Sequence, residues 1–176
     1  MELYGLRFPI GEFTIPTAPL SEEGRAKAVN SMAAAPANLK KAVAGLTDEH
    51  LDTPYRPEGW TIRQVVHHLP DSHVNSYMRL KLALTEDRPT IRTYKEARWA
   101  ELPDSKGPVE MSLSLLEAVH ERYVYLWRRL THADWNRVLV HPELGDLRVD
   151  ALAALYAWHG DHHIAHITGL RDRRNW

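Results

Sequence analysis

The segment Trp158-His159-Gly160-Asp161-His162-His163-Ile164-Ala165-His166 packs four of the chain's eleven histidines into eight positions. Imidazoles this dense are useful only where the backbone aims several at one point, and an α-helix does this for residues four apart. His159 with His163, and His162 with His166, both have that spacing. The run therefore calls for a helix. It also calls for a second element facing that helix, because two ligands rarely hold a catalytic metal.

Stepping about 100° per residue, Val149, Leu152, Tyr156, Ile167 and Leu170 define an apolar face on a helix from about Asp150 to Leu170. His163 falls near the centre of that face and His159 slightly to one side, while His162 falls toward its edge. The inward pair is thus His159 and His163. His166, three residues further on, is a neighbour able to support the ligands, and His162 is expected at the periphery. Read as mere amphipathic filler, inward histidines would leave several buried ring nitrogens without partners.

Three further helices are expected. Ser21, followed by Glu22 and Glu23, resembles a helix N-terminus, and Ala-rich sequence continues toward Leu46, with Pro36 expected to break or kink it. Thr61-Ile62-Arg63-Gln64 is a capping-box pattern opening a helix to about Thr85. Leu113, Leu116, His120, Tyr123, Trp127 and Leu130 form the stripe of a bundle seam. The polar stretch between Thr85 and Glu110 carries Pro89, Pro103, Gly107 and Pro108 and reads as a long crossover loop of the kind that forms lids and binding loops. Val138–Val140 and Leu147–Val149 flank a turn at His141-Pro142-Glu143-Leu144-Gly145-Asp146 and predict a short β-hairpin before the last helix. Residues 1–20, with Pro9, Pro16 and Pro19, predict an extended arm. The whole is an all-α fold, a four-helix bundle of up-and-down type, with 1–176 forming one domain.

Charge and cysteine content narrow the function. Twenty-two basic residues against 23 acidic ones make no electrostatic case for nucleic acid or an anionic membrane. With no cysteine, any metal must be held by histidine and carboxylate, and thiolate nucleophiles are excluded. The N-terminus lacks a basic start and an apolar core of the secretory type, and the expected location is the cytoplasm.

The missing ligand is expected on the second long helix, which offers His67, His68 and His73. Ile62, Val66, Leu69 and Leu80 centre its apolar face; His73 sits on that face, His68 on its flank and His67 on the other side. Periodicity alone favours His73. The flank of His68 continues through Ser72, Asn75 and Arg79, a polar line that reads equally as the rim of a site or as a solvated stripe.

Gly59-Trp60-Thr61-Ile62-Arg63-Gln64-Val65-Val66-His67-His68-Leu69, then Asp71-Ser72-His73, together with Tyr156-Ala157-Trp158-His159 and His163-Ile164-Ala165-His166-Ile167, resembles the DinB superfamily. Within it the likeness is to the YfiT-like branch of metal-dependent hydrolases, which is linked to bacillithiol S-transferases. Pro9-Ile10-Gly11-Glu12, Thr53-Pro54-Tyr55-Arg56 and His141-Pro142-Glu143 extend the likeness over almost the whole chain. The resemblance implies His68, His159 and His163 as ligands, with His166 three residues beyond the last. It implies one zinc ion per subunit, with nickel as the alternative, and a homodimer, for which Trp176 could serve as an interface residue. Pro70, two residues after His68, departs from the helix former expected there and should kink the helix.

Three histidines leave zinc or nickel an open coordination position, which suits a hydrolase that activates water for attack on a small-molecule substrate. An alternative fills that position with a low-molecular-weight thiol, bacillithiol-like, for transfer to an electrophile. A second alternative is a non-catalytic bundle stapled by metal, with His73, His120 or His166 as a fourth ligand. Candidate auxiliary groups are Asp71 as proton acceptor or as a group orienting His68, Asn75, Arg79 as a carboxylate clamp, and His166. Arg98 and Trp99 in the long loop are further candidates, Trp99 and Tyr94 could close over the opening, and His120 has the stronger claim because its stripe points inward, with a hydrogen-bonded core histidine as the other reading.

Overall fold

A computed structural model describes residues 3–176. The N-terminal segment has a short helix, α1 (Leu3–Arg7), where the sequence predicts an extended arm; beyond it the chain turns at Pro9–Ile10 and continues without helix or strand to Leu20. Helix α2 (Glu22–Val43) starts where Ser21 accepts the Gly24 N–H at 3.1 Å. Pro36 lies within α2 and does not end it. After a single turn, α3 (Asp48–Leu51), the capping box forms as expected. Thr61 accepts the Gln64 N–H at 3.2 Å, Gln64 accepts the Thr61 N–H at 3.0 Å, and α4 (Ile62–Thr85) runs through Pro70 without interruption.

The crossover from Thr85 to Val109 is not structureless, since it contains α5 (Glu96–Trp99) and a 3₁₀ turn (Pro103–Lys106). Helix α6 (Val109–Trp127) carries the predicted seam from Leu113 to Trp127, with Leu130 beyond its end, and is followed by the short α7 (His132–Trp135). Strands β1 (Val138–His141) and β2 (Gly145–Arg148) pair antiparallel, with Gly145 in the left-handed region at φ +71° to close the turn. Helix α8 (Val149–Arg174) passes the expected end at Leu170 and stops at Asn175, where φ is 55°.

The long helices form a four-helix bundle whose wiring departs from the simplest up-and-down arrangement. Helix α2 packs against α6 and α8, and α4 packs against the same two. Consecutive long helices α2 and α4 are therefore not packed neighbours, whereas α4 and α8, far apart in sequence, are. Trp176 is folded back, stacked on His50 with ring centroids 4.2 Å apart.

The interior consists of two apolar clusters with a polar layer between them. One holds Met32, Leu80, Tyr123, Trp127 and Leu152; the other holds Leu39, Ile62, Val66, Leu116 and Ile167. In α4 the layer is His73, between Leu69 and Leu80; in α6 it is His120, between Leu116 and Tyr123. In α8 it is His159 and His163, between Tyr156 and Ile167. The arm is tied over α8 by the fully buried carboxylate of Asp150, which accepts the Leu20 N–H at 2.7 Å and an Arg148 N–H at 3.0 Å.

Candidate metal centre

Helix α4 supplies His68 and α8 supplies His159 and His163, and one nitrogen from each of the three rings lies within 4.8 Å of the others. No other group of three such ligands forms among the described residues. The Nε2 atoms of His68 and His159 are 3.2 Å apart, and the ring of His163 stands 4.5 Å from that of His159 and 4.7 Å from that of His68. Ser72, one turn after His68, has its hydroxyl 3.4 Å from His159 Nε2.

The chemistry of these donors fits a divalent metal. Burial holds His68 down at about 4, and burial followed by the neighbouring imidazoles holds His159 and His163 well below the ordinary histidine range. All three rings are thus neutral at pH 7, the form that ligates. His163 Nδ1 is buried without a hydrogen-bond partner, and two Nε2 atoms face each other across 3.2 Å. A cation with Zn–N bonds of about 2.0–2.1 Å satisfies nitrogens set at such separations.

Rings cover the histidines from outside. Trp60, from the Gly-Trp motif, stands 4.8 Å from His68 and lies parallel to His163 at 6.4 Å. One side of the cluster is open to a cavity of about 550 Å³ walled by Phe8, Tyr55, Trp60 and Tyr94, with Arg7 and Arg56 contributing to its lining. Burial raises the Tyr94 hydroxyl's pKa, so it stays protonated as a donor on that wall. A larger hollow of about 1180 Å³ lies at the end of the bundle, where Arg63 pairs with Asp48 and Asp52 at 2.7 and 2.6 Å.

The remaining sequence candidates are distributed unevenly. His166 lines the cavity, 3.0 Å from His162 through their Nε2 atoms and stacked on Tyr55 at 3.9 Å. His162 is not peripheral as expected; it is buried, stacked on Trp158 at 4.4 Å, and lines the same cavity. The arm causes the difference, because Trp158 donates to Gly11 O at 3.2 Å and Phe8 approaches His162, so an edge of α8 is covered.

Asp71, Asn75 and Arg79 do not line the cavity. Asn75 donates to Asp71 O at 2.8 Å within its own helix. Arg79 is buried and donates to Tyr156 Oη and Arg92 O, both at 3.1 Å, so it fastens the crossover segment to the bundle. Burial, aided by Asp104, lifts the Asp71 carboxyl to about 6.

Neither His73 nor His120 converges with the three ligands. His73, the residue favoured by periodicity, meets the far nitrogen of His159, Nδ1, at 3.2 Å, and His120 stands behind His73 at 2.8 Å. His67 is also buried, bridging Ser112 at 2.7 Å and Gly107 O at 3.0 Å. Tyr94 of the loop faces the cavity and packs on Trp99 at 4.5 Å. No motif in the sequence marks Phe8, and Tyr55 is marked only by the resemblance over Thr53–Arg56; the packing of the arm and of the loop after α3 against α8 brings them to the site.

The chain is similar to several known proteins. A relative from Bacillus cereus (strain 03BB102), provisionally named a metal-dependent hydrolase, is 53% identical over 171 residues, covering 97% of this chain and 98% of its own. A relative with the same provisional name from Bacillus mycoides (strain KBAB4) is 52% identical over 171 residues, with the same coverage. YfiT from Bacillus subtilis, a solved structure described as a probable metal-dependent hydrolase with an unusual four-helix bundle topology, is 48% identical. It superposes with a TM-score of 0.94 over 98% of this chain and 99% of that one. A family model for the DinB superfamily matches residues 31–167. By sequence over nearly its full length and by the shared bundle, the chain belongs to the DinB superfamily.

Proposed function

We propose that the protein is a metal-dependent hydrolase in which His68, His159 and His163 hold one zinc ion, with nickel as the alternative. One observation carries the reading: three neutral imidazoles converge from two helices, and the side facing the 550 Å³ cavity is left free. A divalent ion held there supplies Lewis acidity and lowers the pKa of a bound water toward neutrality.

The chain's own residues account for the rest of the site. Trp60 shields the ligand rings of His68 and His163 from bulk water, Tyr55 covers His166, and both offer flat apolar walls to a substrate. Arg7 and Arg56 are placed to hold an anionic group in the cavity, and the Tyr94 hydroxyl is placed to donate a hydrogen bond. The neutral pair His162 and His166 offers a proton acceptor on the same wall, 3.0 Å from one another. A metal-stapled, non-catalytic bundle would need a fourth protein ligand, and His73, His120 and His166 each engage other partners.

The test is turnover by protein stripped with a chelator and reloaded with zinc or nickel, assayed on a panel of model esters and amides beside His159→Ala. Hydrolysis restored by metal in the parent and lost in the variant supports the reading. Metal-dependent conjugation of an added thiol to an electrophile, with hydrolysis at background, would overturn it in favour of a transferase. A homodimer is proposed on the resemblance alone.

A further inference from the structure

Helix α2 contains a proline where a regular helix needs a donor. The carbonyl of Met32 would ordinarily accept the N–H of residue 36, and Pro36 has none. That carbonyl instead lies 2.6 Å from Nδ1 of His120, which is 2% exposed and reaches across from α6. From there the contacts continue inward: His120 Nε2 to His73 Nδ1 at 2.8 Å, then His73 Nε2 to His159 Nδ1 at 3.2 Å. The final nitrogen, His159 Nε2, faces His68 in the ligand cluster. The chain of contacts visits α2, α6, α4 and α8 in turn.

Its proton positions follow from its first member. A carbonyl only accepts, so His120 must carry its proton on Nδ1. No carboxylate is hydrogen-bonded to His120, His73 or His159 among the described residues, and His73 is fully buried, so each ring is neutral with a single proton. His120 Nε2 is then bare and accepts from His73 Nδ1–H. By the same logic His73 Nε2 accepts from His159 Nδ1–H, which leaves the lone pair of His159 Nε2 pointing at the cluster. Reversing any one proton would set two donors or two lone pairs against each other inside the bundle.

We propose that His120 and His73 are positioning residues, a buried imidazole relay that is anchored on the carbonyl freed by Pro36 and holds His159 in the tautomer that presents Nε2 to a metal. The relay rests on His159 being a ligand; it does not depend on whether the reaction is hydrolysis. Outer partners of ligating histidines fix ring and tautomer in this way, and their removal typically lowers metal affinity by about 10–100-fold.

Two measurements test the proposal on the full chain. In the first, zinc affinity is measured by competition with a chromophoric chelator for the parent, His120→Leu, His120→Gln and His159→Ala. A glutamine amide can donate to Met32 O and accept from His73, so H120Q is expected within about 3-fold of the parent, while H120L falls by about 10-fold or more. H120L binding zinc as tightly as the parent would overturn the relay while leaving the metal site intact. H159A binding as tightly as the parent would overturn the metal site itself. In the second, long-range ¹H–¹⁵N spectra of the metal-free parent report each tautomer directly and need no variant to fold. All three rings in the Nδ1–H form is the expected result, and an Nε2–H form at any of them refutes the proposal.

Discussion

Acidification in the absence of metal should unfold this protein sharply. His68 and His162 are held at about 4, and His166 at about 3, against an ordinary 6.5, with burial as the main cause for each. A ring whose folded pKa lies below its unfolded one takes up protons preferentially in the unfolded chain. Its stabilising contribution is intact above pH 6.5 and drains away as the pH falls from there toward the folded value. For an unfolded value of 6.5 and a folded value near 4, going from pH 7 to pH 5 costs about 2 kcal/mol per ring. His68, His162 and His166 together lose about 6 kcal/mol, and His73, His159 and His163, which burial also pushes well below the ordinary value, add to the loss. Total stabilities of natural domains are about 5–15 kcal/mol. Chelator-treated protein should therefore be close to its unfolding midpoint near pH 5 without denaturant. The measurement is urea unfolding by far-ultraviolet circular dichroism at pH 7, 6 and 5, with and without saturating zinc. Zinc should shift the acid limb downward, because protons must displace the ion before they charge its ligands. Equal urea midpoints at pH 7 and pH 5 in the stripped protein would mean that the rings protonate freely in the folded state, and the account of a dry imidazole layer would be wrong.

Other outcomes follow from single contacts. Pro36→Ala returns an N–H to compete with His120 for Met32 O, so it should weaken zinc binding; a variant that bound zinc more tightly would contradict the link between the two. Asp150→Ala removes the acceptor of the Leu20 N–H and of Arg148 from a fully buried position and should cost about 3 kcal/mol in urea unfolding. A loss under about 0.5 kcal/mol, the range of ordinary surface changes, would show that the arm is not fastened there. Asp71→Asn removes a carboxylate that burial keeps near 6, so at pH 8 it should stabilise by roughly 1 kcal/mol without altering metal content. A destabilised variant would reveal a partner for the ionised form. Arg79→Leu frees the crossover segment from Tyr156 and Arg92, and proteolysis between Thr85 and Val109 should become faster; an unchanged cleavage rate would refute the fastening role.

Much of the architecture was legible because its signals are local. Ser21 and the Thr61–Gln64 capping box mark helix starts within a residue of where they form, and Gly145 marks the hairpin turn. The inward phase of His159 and His163 is a property of one helix and could be read from its wheel. His68 could not be read that way: it sits on the flank of its own apolar face, and only the packing of α4 beside α8 turns that flank into the site. His162 escaped for a related reason, since the groups that bury it, Phe8 and Trp158 held by Gly11, come largely from the arm. Pro36 reads as a break or a kink and Pro70 as a kink, and both lie within continuous helices. For Pro36 the freed carbonyl finds a donor 88 residues away in His120, a compensation no local pattern encodes.

The histidine layer between the two apolar clusters also bears on which bundle the chain can form. Leucine-rich faces tolerate sliding, and two apolar halves joined end to end could pack in several nearly equivalent registers and wirings. Moving any long helix by one turn, about 5.4 Å, would set an imidazole against leucine or valine and strand its nitrogens, at about 1–3 kcal/mol for each group left unmatched. Because all four helices contribute to the layer, through Met32 O, His73, His120 and His159, every such slip is penalised together. The polar slice thus acts as an alignment key. It favours one register of the four helices, the one that sets His68 on α4 level with His159 and His163 on α8.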